Sequence, residues 1–109
     1  MIKTTYEIRY LPLFYRELER DISHIAFKLL NPDAANKLLD DVESAIIKRL
    51  EDGPEAFEKI PTKKKRRIPY YRIYVKKYII YYVVLEENGK KIMEIRRFLH
   101  IRENRDKKI

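Results

Sequence analysis

The chain has 109 residues, with 25 Lys and Arg against 17 Asp and Glu, a formal net charge of +8 and no cysteine. One domain, 1–109, is expected at this size, because two cores would each be too small. The absence of cysteine excludes a disulfide framework, thiol chemistry and Cys-based zinc sites.

The longest apolar run, Tyr78 to Leu85, is far short of a membrane span, and Met1 to Glu7 lacks the apolar stretch of a secretory signal. The expectation is a cytoplasmic protein. Its charge points to polyanions: nucleic acid, a ribosome, an anionic membrane or an acidic protein. With 45% hydrophobic residues and nine tyrosines, disorder is not expected.

Thr5 to Leu11 reads as a first strand, since Tyr6, Ile8 and Tyr10 alternate with Glu7 and Arg9. Pro12 closes it. Leu13 to Leu30 is predicted helical: Phe14, Leu18, Ile22, Ile25 and Leu29 form one apolar stripe, with Arg16, Glu17, Glu19, Arg20 and Asp21 largely on the other side. Asn31-Pro32 stops this helix and starts another, Asn31 as cap and Pro32 at the first helical position, where its missing N–H is not needed. Asp33 in the first turn favours the helix dipole. The second helix runs to about Asp52 with a stripe of Ala35, Leu38, Leu39, Val42, Ile46 and Leu50, and Gly53-Pro54 ends it.

Glu55 to Pro69 is an irregular loop carrying the run Lys63, Lys64, Lys65, Arg66 and Arg67. Three strands come next. Tyr70 to Val75 places Tyr71, Ile73 and Val75 on one face and Tyr70, Arg72 and Tyr74 on the other. Lys76-Lys77 turns into Tyr78 to Leu85, apolar on both faces and so central. Asn88-Gly89 signals a hairpin into Lys91 to Leu99, with Met93, Ile95, Arg97 and Leu99 expected on one face. The end of the chain, 99–109, is a charged tail.

The predicted architecture is α+β: an N-terminal strand, a helical hairpin, then a three-stranded antiparallel meander, the helices packed on one sheet face. The other face, with Tyr70, Arg72 and Tyr74, is expected to present an open basic and aromatic surface.

Familiar catalytic constellations are absent. Neither glycine sits in a phosphate loop, Ser23 and Ser44 fall mid-helix, and His24 and His100 each lack a second histidine at ligand spacing. No metal site and no cofactor is implied. The cluster Arg96, Arg97, His100, Arg102, Glu103, Asn104 and Arg105 is richer. Phosphodiester chemistry needs a proton donor, a proton acceptor and cations for the developing charge; arginine supplies fixed cations and histidine exchanges protons near neutral pH. A solvated terminus would carry the same residues. Arg97 stands at an apolar-patterned position, where a cation either pairs with a buried carboxylate or serves a site. The Lys63-to-Arg67 run is either an electrostatic footprint for nucleic acid or a solvated loop.

Three pieces in this order resemble the RelE/ParE superfamily of toxins from type II toxin–antitoxin systems, over nearly the whole chain. Phe14-Tyr15 through Ile22, then Leu30-Asn31-Pro32-Asp33-Ala34-Ala35, looks like the family's helical hairpin. Tyr71 to Val75 followed by Tyr78 to Val84 is similar to its central strand pair, and Ile95 to Arg102 to its closing strand.

The resemblance implies a growth-inhibiting toxin with a cognate antitoxin as partner, acidic and partly disordered. RelE-like members cut mRNA on the ribosome; ParE-like members poison DNA gyrase and are not nucleases. In the first case the resemblance assigns Arg72 and Arg97 to the phosphate and His100 to proton transfer; Lys63, Lys64, Lys65, Arg66, Arg67 and Arg102 are expected as nucleic-acid contacts on their charge alone. Any such nuclease would be metal-free. Ile79 stands where catalytic members commonly carry an arginine, a departure that counts against cleavage.

Overall fold

The computed structural model describes residues 5–61, 68–103 and 107–109. Strand β1 (Tyr6–Tyr10) leads into helix α1 (Pro12–Ser23) and a π-helical turn (His24–Lys28). Helix α2 (Pro32–Asp52) is next, then strands β2 (Tyr71–Val75), β3 (Tyr78–Glu87) and β4 (Lys90–His100). This is the expected α+β order.

Local chemistry accounts for the boundaries. Pro12 ends β1 and is itself the first residue of α1, a position that uses no N–H. The Asn31 side chain accepts from the Ala34 N–H at 3.1 Å, capping α2. Gly53, at φ +98°, ends that helix. Asn88 and Gly89, at φ +53° and +77°, are both left-handed, as a tight hairpin turn between β3 and β4 requires.

The single helix expected from Leu13 to Leu30 is interrupted. Leu29 N–H donates to His24 O, a π-type bond that places one extra residue in the turn and rotates the residues after it. Phe14, Leu18, Ile22 and Ile25 still reach the core, but Leu29 does not. Phe27 and Leu30 are 76% and 81% exposed at the hairpin tip, with Leu30 in the left-handed region.

The sheet order is β1-β4-β3-β2. β1 runs parallel to β4, from Tyr6 opposite Lys91 to Tyr10 opposite Ile95. The other two pairings are antiparallel. On the helix side of the sheet, Phe14 of α1 and Leu38, Val42 and Ile46 of α2 pack on Tyr71, Ile73, Ile80, Tyr82, Met93 and Phe98. Ile79, Tyr81 and Leu99 form a second cluster with Ile60 on the outer face. Both faces of β3 are therefore covered over Ile79 to Val83, which explains why the strand is apolar on both faces until Glu86 and Glu87, where it becomes exposed. No helix among the described residues is long and apolar enough to cross a membrane.

Replacing the α2 cap, Asn31→Ala, is expected to lower stability by about 1 kcal/mol. The measurement is a fall in the urea midpoint at an unchanged denaturant slope.

Candidate functional site

The site residues are arranged by one irregularity in β4. Tyr81 of β3 lies opposite Arg97, but its neighbour Tyr82 lies opposite Ile95, so Arg96 is an extra residue. Such a bulge reverses the alternation of side chains beyond it. Met93, Ile95 and Phe98 consequently all belong to the helix-side core, whereas Leu99 lies in the outer cluster. This corrects the expectation that Met93, Ile95, Arg97 and Leu99 share one face. Met93 and Ile95 precede the phase change; Arg97 and Leu99 come after it.

On the outer face, Arg72 of β2, Tyr81 of β3 and Arg97 of β4 occupy one cross-strand row. The Arg72 guanidinium lies 5.9 Å from the Tyr74 ring centroid. Arg97 makes a bidentate pair with Glu17 of α1, Nε to Oε1 and Nη2 to Oε2 both at 2.8 Å, and its Nη1 donates to the Lys108 carbonyl. The Glu17 hydrogen bonds, opposed by partial burial, raise the Arg97 pKa, so the guanidinium stays charged. Glu17 also accepts from the Phe98 backbone N–H at 3.1 Å. Of the two roles open to Arg97 from sequence, pairing with a buried carboxylate is the one its geometry displays.

The neighbouring part of this face is a charge ladder. Buried Glu94 lies between Arg9 Nη1 at 3.5 Å and Arg96 Nε at 3.2 Å, and Arg9 Nη2 also reaches Glu87 at 2.8 Å. Arg96 Nη1 donates to the Tyr70 hydroxyl at 2.9 Å. Burial opposes the charge on Arg96, but its bonds to Tyr70 and Glu94 outweigh this, and its pKa is raised. The outer face is thus not the open surface expected from sequence. Ile60, Tyr70 and Ile109 pack over Ile79, Tyr81 and Leu99, which are fully buried.

His100 is on the other side. It lies opposite Tyr78, whose ring stacks on the core residue Phe98, and its imidazole meets Tyr78 edge-on with centroids 5.2 Å apart. His100 Nδ1 accepts from the Arg102 N–H, and the His100 N–H donates to Glu103 Oε1, both at 3.1 Å. Glu103 also holds Arg20 of α1 at 3.1 Å and Lys108 at 3.0 Å. Burial pushes the Glu103 pKa up, but the bonds from Lys108 and the His100 N–H pull it down by more, and the net shift is down.

The structure therefore brings Arg72 and Arg97 to one face and sets His100 on the opposite face, with the sheet between. Arg102 is exposed beside His100. Lys63, Lys64, Lys65, Arg66 and Arg67, the expected nucleic-acid contacts of the loop, lie outside the described residues. Among the described residues no group of three His, Cys, Asp or Glu could hold a metal ion.

A separate concavity of about 490 Å³ lies between α1 and α2, lined by Tyr10, Phe14, Leu18, Leu39 and Val42. Its rim carboxylates, Asp40 and Glu43, give it the wrong sign for an anion.

The helical pattern of the sequence puts Glu17 on the solvated side of the first helix, yet only 7% of it is exposed. The available signal was its position three residues after Phe14, which sets it beside the apolar stripe. Glu17→Ala is expected to destabilise the fold by about 3 kcal/mol, because it leaves the Arg97 charge and the Phe98 N–H unanswered. Arg97→Ala should cost a similar amount. Chemical denaturation of the double variant should show less than the sum of the two, the signature of a direct pair.

Among known proteins, the family model described as "ParE toxin of type II toxin-antitoxin system, parDE" matches residues 8–105. No curated protein and no solved structure matches the chain. The match runs from β1 through the helical hairpin, the meander and the bulged closing strand, and on it the chain belongs to the ParE toxin family, within the RelE/ParE superfamily of type II toxin–antitoxin toxins.

Proposed function

We propose that this toxin arrests growth by holding its target, and that it does not cut RNA. The observation that supports this reading is the division of the three candidate catalytic side chains across the sheet. Cleavage of a phosphodiester needs the proton-transfer group and the cations around one phosphorus, within hydrogen-bond reach of the reacting oxygens. Arg72 and Arg97 share the outer face, while His100 stands edge-on to Tyr78 on the helix side. Arg97 is moreover partnered by Glu17 through two of its nitrogens.

Ile79 adds to this. It is fully buried between Tyr74 and Leu99, at the position where nuclease members of the resembled family commonly present an arginine. Membership in a toxin–antitoxin family implies a cognate antitoxin. We take that antitoxin to be acidic and partly disordered, as the net charge of +8 on the toxin favours. Both partners then meet in the cytoplasm, where target and antitoxin compete.

The test is induction of the toxin in growing cells, with mRNA 5′ ends mapped and plasmid supercoiling measured in the same cultures. Growth arrest with an unchanged 5′-end profile is expected, and His100→Ala should arrest growth as the parent does. Altered supercoiling would identify gyrase as the bound target. Ribosome-phased cuts that disappear in His100→Ala would overturn the reading and establish ribosome-dependent mRNA cleavage in its place.

A further inference from the structure

Charge in the groove between α1 and α2 runs against that of the chain as a whole. The protein carries +8, yet α2 holds six acidic residues against three basic ones. Asp41 is held by Lys37 and Lys76, and Asp52 by Lys48. Asp40 and Glu43 are different. They are three residues apart, hence on one side of the helix, they stand on the rim of the groove, and neither makes an ion pair among the described residues.

Below these carboxylates the groove is apolar. Phe14, Val42 and Ile46 are buried beneath it, while Tyr15 and Leu39 stand in its walls 52% and 38% exposed. The Tyr15 ring lies against Tyr10 and Phe14, with centroids 5.4 Å and 5.7 Å apart, so its place is set by packing. The volume, about 490 Å³, falls in the range of about 300–1,000 Å³ usual for binding pockets. Past the cavity the apolar rim continues along α2. Ile47, 43% exposed, is eight residues beyond Leu39 with Glu43 midway, roughly 12 Å along the axis.

That length selects the occupant. A small cation would fill the cavity and leave Ile47 in water. A helix that lays anchors at i, i+4 and i+7 into a groove covers about this span. Its anchors must be apolar to meet the floor, and its flanks cationic to meet Asp40 and Glu43. Arginine suits the rim best, because a guanidinium can lie on a tyrosine ring such as Tyr15 while it donates to a carboxylate. An acidic segment is repelled here and drawn to other faces of the molecule.

We propose that the α1–α2 groove is a docking site for an amphipathic helix of a partner protein that carries arginine or lysine beside its apolar anchors. This goes beyond the reading of the toxin as a binder and does not depend on it. The groove prefers the opposite sign to the one that the net charge of +8 favours, which separates specific docking from general attraction.

Two labelled helical peptides test it, both with leucines at i, i+4 and i+7, one flanked by arginines and the other by glutamates. The arginine peptide should bind by fluorescence anisotropy and shift the methyl resonances of Leu18, Leu39, Val42 and Ile46; the glutamate twin should leave those methyls unmoved. Asp40→Asn combined with Glu43→Gln changes only exposed side chains, and should weaken the arginine peptide about fivefold and flatten its salt dependence. Leu39→Gln should weaken it about tenfold, with the urea midpoint showing that the variant is folded.

Failure of the arginine peptide to bind would overturn the proposal. Equal methyl shifts from the glutamate twin would overturn it as well, since charge would not be selecting the occupant. Affinity unchanged by both the rim and the Leu39 substitutions would place the peptide elsewhere. Displacement of the peptide by an equal concentration of arginine amide would make the cavity a small-cation pocket and rule out the helix.

Discussion

The carboxylate of Glu17 is the joint on which the rest of the molecule turns. β1 gives β4 a parallel neighbour only as far as Ile95, whose carbonyl still receives the Leu11 N–H. The chain then leaves the sheet at Pro12, and among the described residues no strand lies beside the next part of the β4 edge. A buried N–H left without an acceptor costs about 1–3 kcal/mol. Here α1 answers it: Glu17 accepts from the Phe98 N–H, so a helix side chain does for β4 what a longer β1 would have done. A carboxylate in that position requires a cation, and Arg97 supplies one from the adjacent residue.

That arrangement also explains why the bulge at Arg96 is useful. Without an extra residue, Phe98 and Arg97 would exchange faces, which would put a guanidinium into the helix-side core and a phenyl ring on the outer face. With it, Phe98 joins Phe14 and Tyr78 in the core, and Arg97 emerges beside the edge where Glu17 waits. The extra residue itself is held by Glu94 and Tyr70. Helix α1, the strand phase and the outer face are thereby set by one buried pair and one bulge.

Much of the fold was legible because its signals are local. Strict alternation marked β1, the Phe14–Leu18–Ile22 spacing marked α1, and Asn31-Pro32 and Asn88-Gly89 marked the two sharpest joints. Changes of phase escaped. Ile95-Arg96-Arg97-Phe98 is compatible with alternation in either register, and the π turn at His24–Lys28 leaves no mark in the composition of the stripe. The parallel docking of β1 on β4 is a long-range pairing that the pattern of β1 does not encode. The separation of His100 from Arg97 is different, for it was readable. Residues three apart on a strand face opposite ways, so grouping the two around one phosphate required a turn that Leu99, fully buried in the outer cluster, does not make.

The pairing of Arg97 bears on chemistry as well as on structure. An arginine stabilises a phosphoryl transition state to the extent that its charge is uncompensated and meets the charge that develops during reaction. A guanidinium already bidentate to a carboxylate presents a dipole more than a monopole, and the extra negative charge of a pentacoordinate phosphorus would feel Glu17 nearly as strongly as it feels Arg97. The same buried pair that completes the edge of β4 therefore commits the Arg97 charge to the fold.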